Sequence, residues 1–300
     1  MNTEKLEGIF PPISTIVKNG ILDKEGMKFL IEDLIEKGVN GFLFLGTGGE
    51  FAHMNAEERM DAAEFAVKTV NRRVPCLIGT GSTSTREAVL LSRHAEEIGA
   101  DGILAVNPYY AKLSEENLFR HYGEIAEAVK IPVLLYNFPD FTGTDLSPDF
   151  VLKLVKKYSN IAGIKETTDA AGHIREMILK VKKERPDFKV FCGYDDHLLN
   201  TLFLGGAGAI PASANFAPQL TIGIYQSFKK GDFKTAGKLH QKLAALLPLY
   251  KLDFPFVNVI KEATRMCGLE VSTEVLPPAY PLSEEKKKKL TDLLKEAELI

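Results

Sequence analysis

The chain has 300 residues, 37 Lys and Arg against 40 Asp and Glu, a formal charge of -3, and 45% hydrophobic residues. That length suits one large barrel or two smaller domains, and the composition is ordinary for a globular protein with a sizeable core. Near-neutral charge gives no electrostatic reason to expect nucleic acid or an anionic membrane as partner, and the scattered Cys76, Cys192 and Cys267 form neither a zinc motif nor a disulfide framework.

The opening MNTEKLEGIFPP lacks the charged-then-apolar pattern of a secretory signal, and no apolar run approaches a membrane span, so the expected compartment is the cytoplasm. Strands are predicted at 9–17, 41–45, 76–79, 102–106, 133–136, 161–165, 190–192 and 209–212, alternating with helical patterns such as 23–37, 56–71, 85–98 and 115–129. Runs such as GFLFL and PVLLY are apolar throughout, as in a parallel sheet buried on both faces. GVNGFLF, GADGILA and GGAGAIP repeat one grammar, a glycine that ends a helix followed by a glycine that opens a strand. Eight such units predict an α/β fold, a (β/α)₈ TIM barrel. Helical patterns follow at 218–230, 233–246, 255–267 and 283–299, the first of them closing the barrel. The predicted organisation is a catalytic barrel over 1–225 and a C-terminal helical extension over 226–300, packed on the barrel. The lysine run 286–289 reads as a solvated helix face.

In a barrel the C-terminal strand ends and the loops after them build the active site. Those ends carry Gly46-Thr47-Gly48-Gly49-Glu50, Asn107-Pro108-Tyr109-Tyr110, Tyr136-Asn137-Phe138-Pro139, Lys165-Glu166-Thr167-Thr168 and Gly193-Tyr194-Asp195-Asp196. Lys165 follows Ile161-Ala162-Gly163-Ile164 without a break and falls on a strand. A nucleophilic amine must be neutral, and a desolvated barrel interior disfavours the ammonium. The same position also suits an exposed lysine past the strand end, or one paired with Glu166. Lys261 lies in the helical tail and is a poor rival. The glycine loop can present amides to a carboxylate, or can be a plain turn; it is neither a dinucleotide fingerprint nor a P-loop. Tyr136 and Tyr110 offer phenols for proton transfer, or are core aromatics with a wet tip. Asp195 and Asp196 can bind substrate hydroxyls, but helix capping is the commoner role. The six histidines form no metal-binding pattern, so no metal is expected.

Taken together, GTGGE, NPYY, LYNFP, GIKETT and GYDD, in this order and spacing, make the sequence resemble the dihydrodipicolinate synthase / N-acetylneuraminate lyase family of class I aldolases. The resemblance covers nearly the whole chain. It implies that Lys165 is the Schiff-base lysine, so that no cofactor beyond the covalent imine is needed. It implies that Tyr136, Thr47 and Tyr110 form the proton relay, Tyr110 coming close to a neighbouring subunit's site in relatives. Thr47 and Gly48 match the cradle for the pyruvate carboxylate, and Ile210 a residue whose carbonyl faces pyruvate. Thr167, Thr168 and Asp195 become candidate substrate contacts. Relatives are commonly tetramers, so a homotetramer is expected.

The departures bear on substrate. Gly48 replaces the second threonine of the synthase loop, and Ala212 stands where sialic acid lyases tend to have serine. Phe141 replaces an arginine that holds the carboxylate of aspartate semialdehyde, and a phenyl ring cannot make that bidentate contact. The forms GTGGEF, FPDFTGTDL and CGYDDHL look closest to bacterial 2-keto-3-deoxygluconate aldolases. The expected function is cleavage or formation of 2-keto-3-deoxy sugar acids. The alternative is 4-hydroxy-tetrahydrodipicolinate synthase; of a different class is a non-catalytic ligand-binding barrel.

Overall fold

Residues 3–300 are described by a computed structural model, so the first two residues of the expected barrel lie outside it. The strands are β1 (Gly8–Ile9), β2 (Val17–Lys18), β3 (Ile21–Leu22), β4 (Phe42–Phe44), β5 (Cys76–Gly79), β6 (Gly102–Val106), β7 (Val133–Asn137), β8 (Ile161–Glu166), β9 (Lys189–Cys192) and β10 (Gly208–Ala209). Eight of them form one curled parallel sheet in the order β1-β10-β9-β8-β7-β6-β5-β4. Its two edges approach each other just past β1, where Pro12 bridges Leu43 in the parallel sense. The Ile13 amide donates to the Leu43 carbonyl at 2.8 Å, and the Leu43 amide donates to the Pro11 carbonyl at 3.0 Å.

The first strand is shorter than its apolar run suggests. Pro11 and Pro12 have no N–H to give a ladder, so pairing lapses after Ile9 apart from that single bridge. The end of the run instead forms a small antiparallel hairpin, β2 on β3, turned through Asn19 (φ 54°) and Gly20 (φ 75°). The last strand of the sheet in chain order also stops early, at Ala209; Pro211 follows, and Ala212–Asn215 is a 3₁₀ turn.

Helix boundaries follow their caps. Asp23 caps Lys24–Glu36 by accepting from the Gly26 amide, and Asn55 with Glu58 forms a reciprocal capping box on Ala56–Val70. The tail is helical as expected: Pro218–Lys229, Phe233–Ala245, Val257–Met266 and Glu284–Glu296, with a 3₁₀ segment at Leu247–Lys251. The lysine run is only partly a solvated face. Lys286 pairs with Asp253 at 2.7 Å, and Lys287 reaches Glu262 at 3.4 Å, which ties the last helix to the rest of the tail. Among the described residues no helix is long and apolar enough to cross a membrane.

Candidate active site

β7 and β8 run in register, with Tyr136 opposite Lys165 and Asn137 opposite Glu166. Side chains alternate across a strand, so Tyr136 and Lys165 share one face and Asn137 and Glu166 the other. Lys165 and Tyr136 both line a cavity of about 410 Å³ at the strand ends. The Lys165 Nζ lies 4.5 Å from the centre of the Tyr136 ring, and the lysine is 5% exposed. Of the placements open in the sequence, the buried one holds: Glu166 turns away from Lys165 to accept from Asn137 Nδ2 at 3.0 Å. Lys261 is fully buried elsewhere, ion-paired with Glu50 and donating to the Glu274 carbonyl at 2.6 Å.

The glycine loop is the 3₁₀ turn Thr47–Gly49. Leu45 (φ 56°) and Glu50 (φ 60°) bracket it in the left-handed region, which non-glycine residues occupy only where the surroundings compel it. Glu50 is compelled: it is buried, it pairs with Lys261, and its Oε2 accepts from the Leu276 amide at 2.8 Å. Burial alone would raise its carboxyl; the His53 ring 3.8 Å away, the Lys261 ammonium and that amide outweigh burial and bring it below its ordinary range. Thr47 and Gly48 line the cavity, and the Thr47 Oγ1 is 3.3 Å from the Tyr136 hydroxyl, close enough to pass a proton. The first amides of such a turn have no acceptor within it, which suits a carboxylate.

Ile210, Thr167 and Asp195 line the same cavity. Gly193 is required beside Thr167, because a Cβ there would stand 1.8 Å from the threonine Oγ1. Asp195 opens the 3₁₀ turn Asp195–His197, yet its side chain caps no helix. It accepts instead from the Tyr250 hydroxyl at 2.5 Å. Burial pushes the Asp195 carboxyl up to about 6 against the opposing hydrogen bond from Tyr250. Its second oxygen and the Thr167 hydroxyl are buried without a protein partner.

Two residues singled out from the sequence stand apart. Tyr110 is fully exposed at φ 79° and is not part of this cavity's lining. Thr168 is outside the lining too, and its hydroxyl accepts from the Ala170 amide at 3.3 Å. The tail adds residues that sequence reasoning missed: Tyr250, Lys251, Phe254 and Phe256 all line the cavity. The aromatic density of LYKLDFPF, unusual in a helical tail, was the available signal. Asp140 and Tyr194, joined at 3.1 Å, also line it. Phe141 stacks on Phe138 at 4.3 Å between ring centres, and Phe138 on Tyr136 at 5.9 Å, so an aromatic column runs outward from the phenol. The cations lining the cavity are Lys165 and Lys251. Among the described residues no group of three or more His, Cys, Asp or Glu could hold a metal ion.

A family model described as the dihydrodipicolinate synthetase family matches residues 5–297. The chain belongs to this family. Within it, the chain is 54% identical over 293 residues to YagE of Escherichia coli K12, provisionally named a 2-dehydro-3-deoxy-D-gluconate aldolase, with 97% of each chain covered. It is 54% identical over 292 residues to YjhH of the same strain, provisionally named a 2-dehydro-3-deoxy-D-pentonate aldolase, again with 97% of each covered. Identity to the 4-hydroxy-tetrahydrodipicolinate synthase of Methanopyrus kandleri is 39% over 288 residues, covering 94% of this chain and 92% of the relative. The crystal structure of YagE in complex with pyruvate superposes with a TM-score of 0.97, covering 98% of this chain and 99% of that one. The curled parallel sheet is therefore the sheet of this family's barrels.

Proposed function

We propose that this family member is a class I aldolase that cleaves or forms 2-keto-3-deoxy sugar acids, such as 2-keto-3-deoxygluconate, through an imine on Lys165. The observation that carries the reading is the convergence of Lys165, Tyr136 and Thr47 in one cavity, with Tyr136 within reach of both. In cleavage, the Lys165 amine attacks the C2 ketone and water leaves, giving a protonated imine. Tyr136 takes the C4 hydroxyl proton as the C3–C4 bond breaks, and the bonding pair moves into the imine to give an enamine. An aldehyde departs. The enamine is protonated at C3, and water hydrolyses the imine to release pyruvate and the free lysine. Thr47 relays the phenolic proton, and the Thr47–Gly48 backbone receives the carboxylate. Within this reading Ile210 faces the pyruvate unit, and Thr167 and Asp195 contact the hydroxyls of the aldehyde half. Thr168 keeps no contact.

The identity to YagE and YjhH, higher than to the Methanopyrus synthase, supports a sugar-acid substrate. So does Phe141, which stacks on Phe138 where a carboxylate-binding arginine would be needed. The synthase alternative has one observation in its favour, Lys251 at the cavity lining. Competition of glyceraldehyde against aspartate semialdehyde, each with pyruvate, separates the two. The sugar-acid reading expects kcat/KM to favour glyceraldehyde by roughly 10- to 150-fold, the worth of one missing charge-assisted contact. Preference for the semialdehyde overturns it.

We further read the curled sheet as a closed (β/α)₈ barrel over 1–225 and the helices of 226–300 as an extension on it, a view the Pro12–Leu43 bridge and the Glu50–Lys261 pair support. The imine requires no metal or other cofactor, so turnover should survive exhaustive chelation. The assembly proposed is a cytoplasmic homotetramer, in which the exposed Tyr110 would complete a neighbour's relay.

A further inference from the structure

The register that sets Tyr136 against Lys165 sets Asn137 against Glu166 on the outer face of the same two strands. Asn137 is fully buried and wholly committed there. Its Nδ2 donates to Glu166 Oε2 at 3.0 Å and to Asp145 Oδ1 at 2.8 Å, and its Oδ1 accepts from the Leu146 amide at 3.0 Å. His173, from the helix Ala171–Glu184, closes the group: its Nε2 is 3.2 Å from Asp145 Oδ2 and its Nδ1 is 3.2 Å from Glu166 Oε2. A carboxylate buried directly after the reactive lysine is costly unless hydrogen bonds and an opposite charge compensate it. An apolar side chain would fill the space between strand and helix at less expense, so the group needs a reason beyond stability.

We propose that Asn137, Glu166, Asp145 and His173 are positioning residues for the aldolase reaction, fixing Tyr136 against Lys165 from behind the strands that carry them; this inference rests on the imine reading above. Each reactive side chain is one peptide unit from a pinned neighbour: Tyr136 from Asn137, and Lys165 from Glu166. The cross-strand bond between those neighbours ties the two strands at the residues adjacent to the reacting pair. His173 extends the tie to the following helix and Asp145 to the loop after β7. Charge keeps the group assembled. Asp145, then Glu166, hold the His173 ring protonated well above its ordinary range, up to about 10. Burial raises the Glu166 carboxyl, and the His173 cation opposes that rise.

The test compares full-length wild type with His173→Gln and Asp145→Asn in the cleavage of 2-keto-3-deoxygluconate. It reads kcat and KM, thermal midpoints, and borohydride trapping of pyruvate. The proposal expects folded variants that still trap pyruvate on Lys165, with kcat down by about 10- to 100-fold, the cost of a misplaced reacting group, and little change in KM. His173→Lys, which returns a cation to the space between the carboxylates, should recover more of kcat than His173→Gln. Folded variants with kcat within about twofold of wild type would reduce the group to a structural one and overturn the proposal. If His173→Gln does not fold, Asp145→Asn decides by the same criteria, since Asp145 is exposed. A wild type that turns over substrate without trapping pyruvate on Lys165 overturns the imine reading, and the positioning inference with it.

Discussion

Tyr136 and Lys165 are cross-strand partners, and the lysine nitrogen stands 4.5 Å from the centre of the phenol ring. The Tyr136 hydroxyl is 3.3 Å from Thr47, and in the proposed mechanism this contact gives a proton leaving the substrate a path that does not pass through Lys165. Tyr136→Phe removes that path and keeps the ring. The expected result is a fall in kcat of roughly 10² to 10⁴, the range for a positioned proton-transfer group, with imine trapping preserved. Steady-state kinetics checks it, and near wild-type turnover would return Tyr136 to a packing role.

Asp195 gives a pH signature. Its carboxyl is pushed up to about 6 by burial, so it is protonated below that value and ionised above it. In the proposed role of acceptor for a substrate hydroxyl, it should make kcat/KM rise as pH climbs through about 6. Asp195→Asn should flatten that limb and raise KM. Tyr250→Phe removes a hydrogen bond that lowers the carboxyl, so the limb should move to higher pH. A wild-type profile flat from about pH 5 to about 7 would contradict this role.

The sequence made some of this plain and hid the rest, for physical reasons. Apolar runs and repeated glycine turns reveal a parallel sheet because burial on both faces and left-handed caps are local demands. Lys165 is legible because it continues an unbroken strand. The first strand is overrun because apolar character persists through Pro11 and Pro12, although neither can donate to a ladder. Asp195 looked like a helix cap because capping is a local option, and Tyr250, far along the chain, takes it up instead. The aromatic density of LYKLDFPF marks Tyr250, Phe254 and Phe256 as unusual, but only tertiary packing of the tail brings them to the cavity, and a local pattern does not encode that destination.

Part of that packing is the Glu50–Lys261 pair, buried on both sides and linking the glycine loop to the tail. Lys261→Met would leave Glu50 buried beside one remaining amide partner and the more distant His53. The expected loss is about 3–5 kcal/mol, the cost of stranding one partner of a buried ion pair. Burial lowers the Lys261 ammonium and Glu50 opposes that, so the partners depend on each other. Denaturant unfolding checks the loss; a change under about 1 kcal/mol would mean that solvent reaches Glu50 freely.

His173 predicts an alkaline limit to stability. Its folded value near 10 lies above the ordinary 6.5, so its contribution is fully present below about 6.5 and is lost as pH rises through about 10. Glu166, raised by burial, acts with the same sign at lower pH. Thermal midpoints should therefore fall across this window in wild type and fall less in His173→Gln. Equal slopes in the two proteins would show that His173 is not held as a cation.

The most direct test of the account is borohydride reduction in the presence of pyruvate, followed by peptide mapping. The imine mechanism predicts a reduced pyruvyl adduct on the peptide containing Lys165, its loss in Lys165→Ala, and parallel loss of aldol cleavage. An adduct on Lys261, or turnover by wild type that leaves no adduct at Lys165, would contradict it.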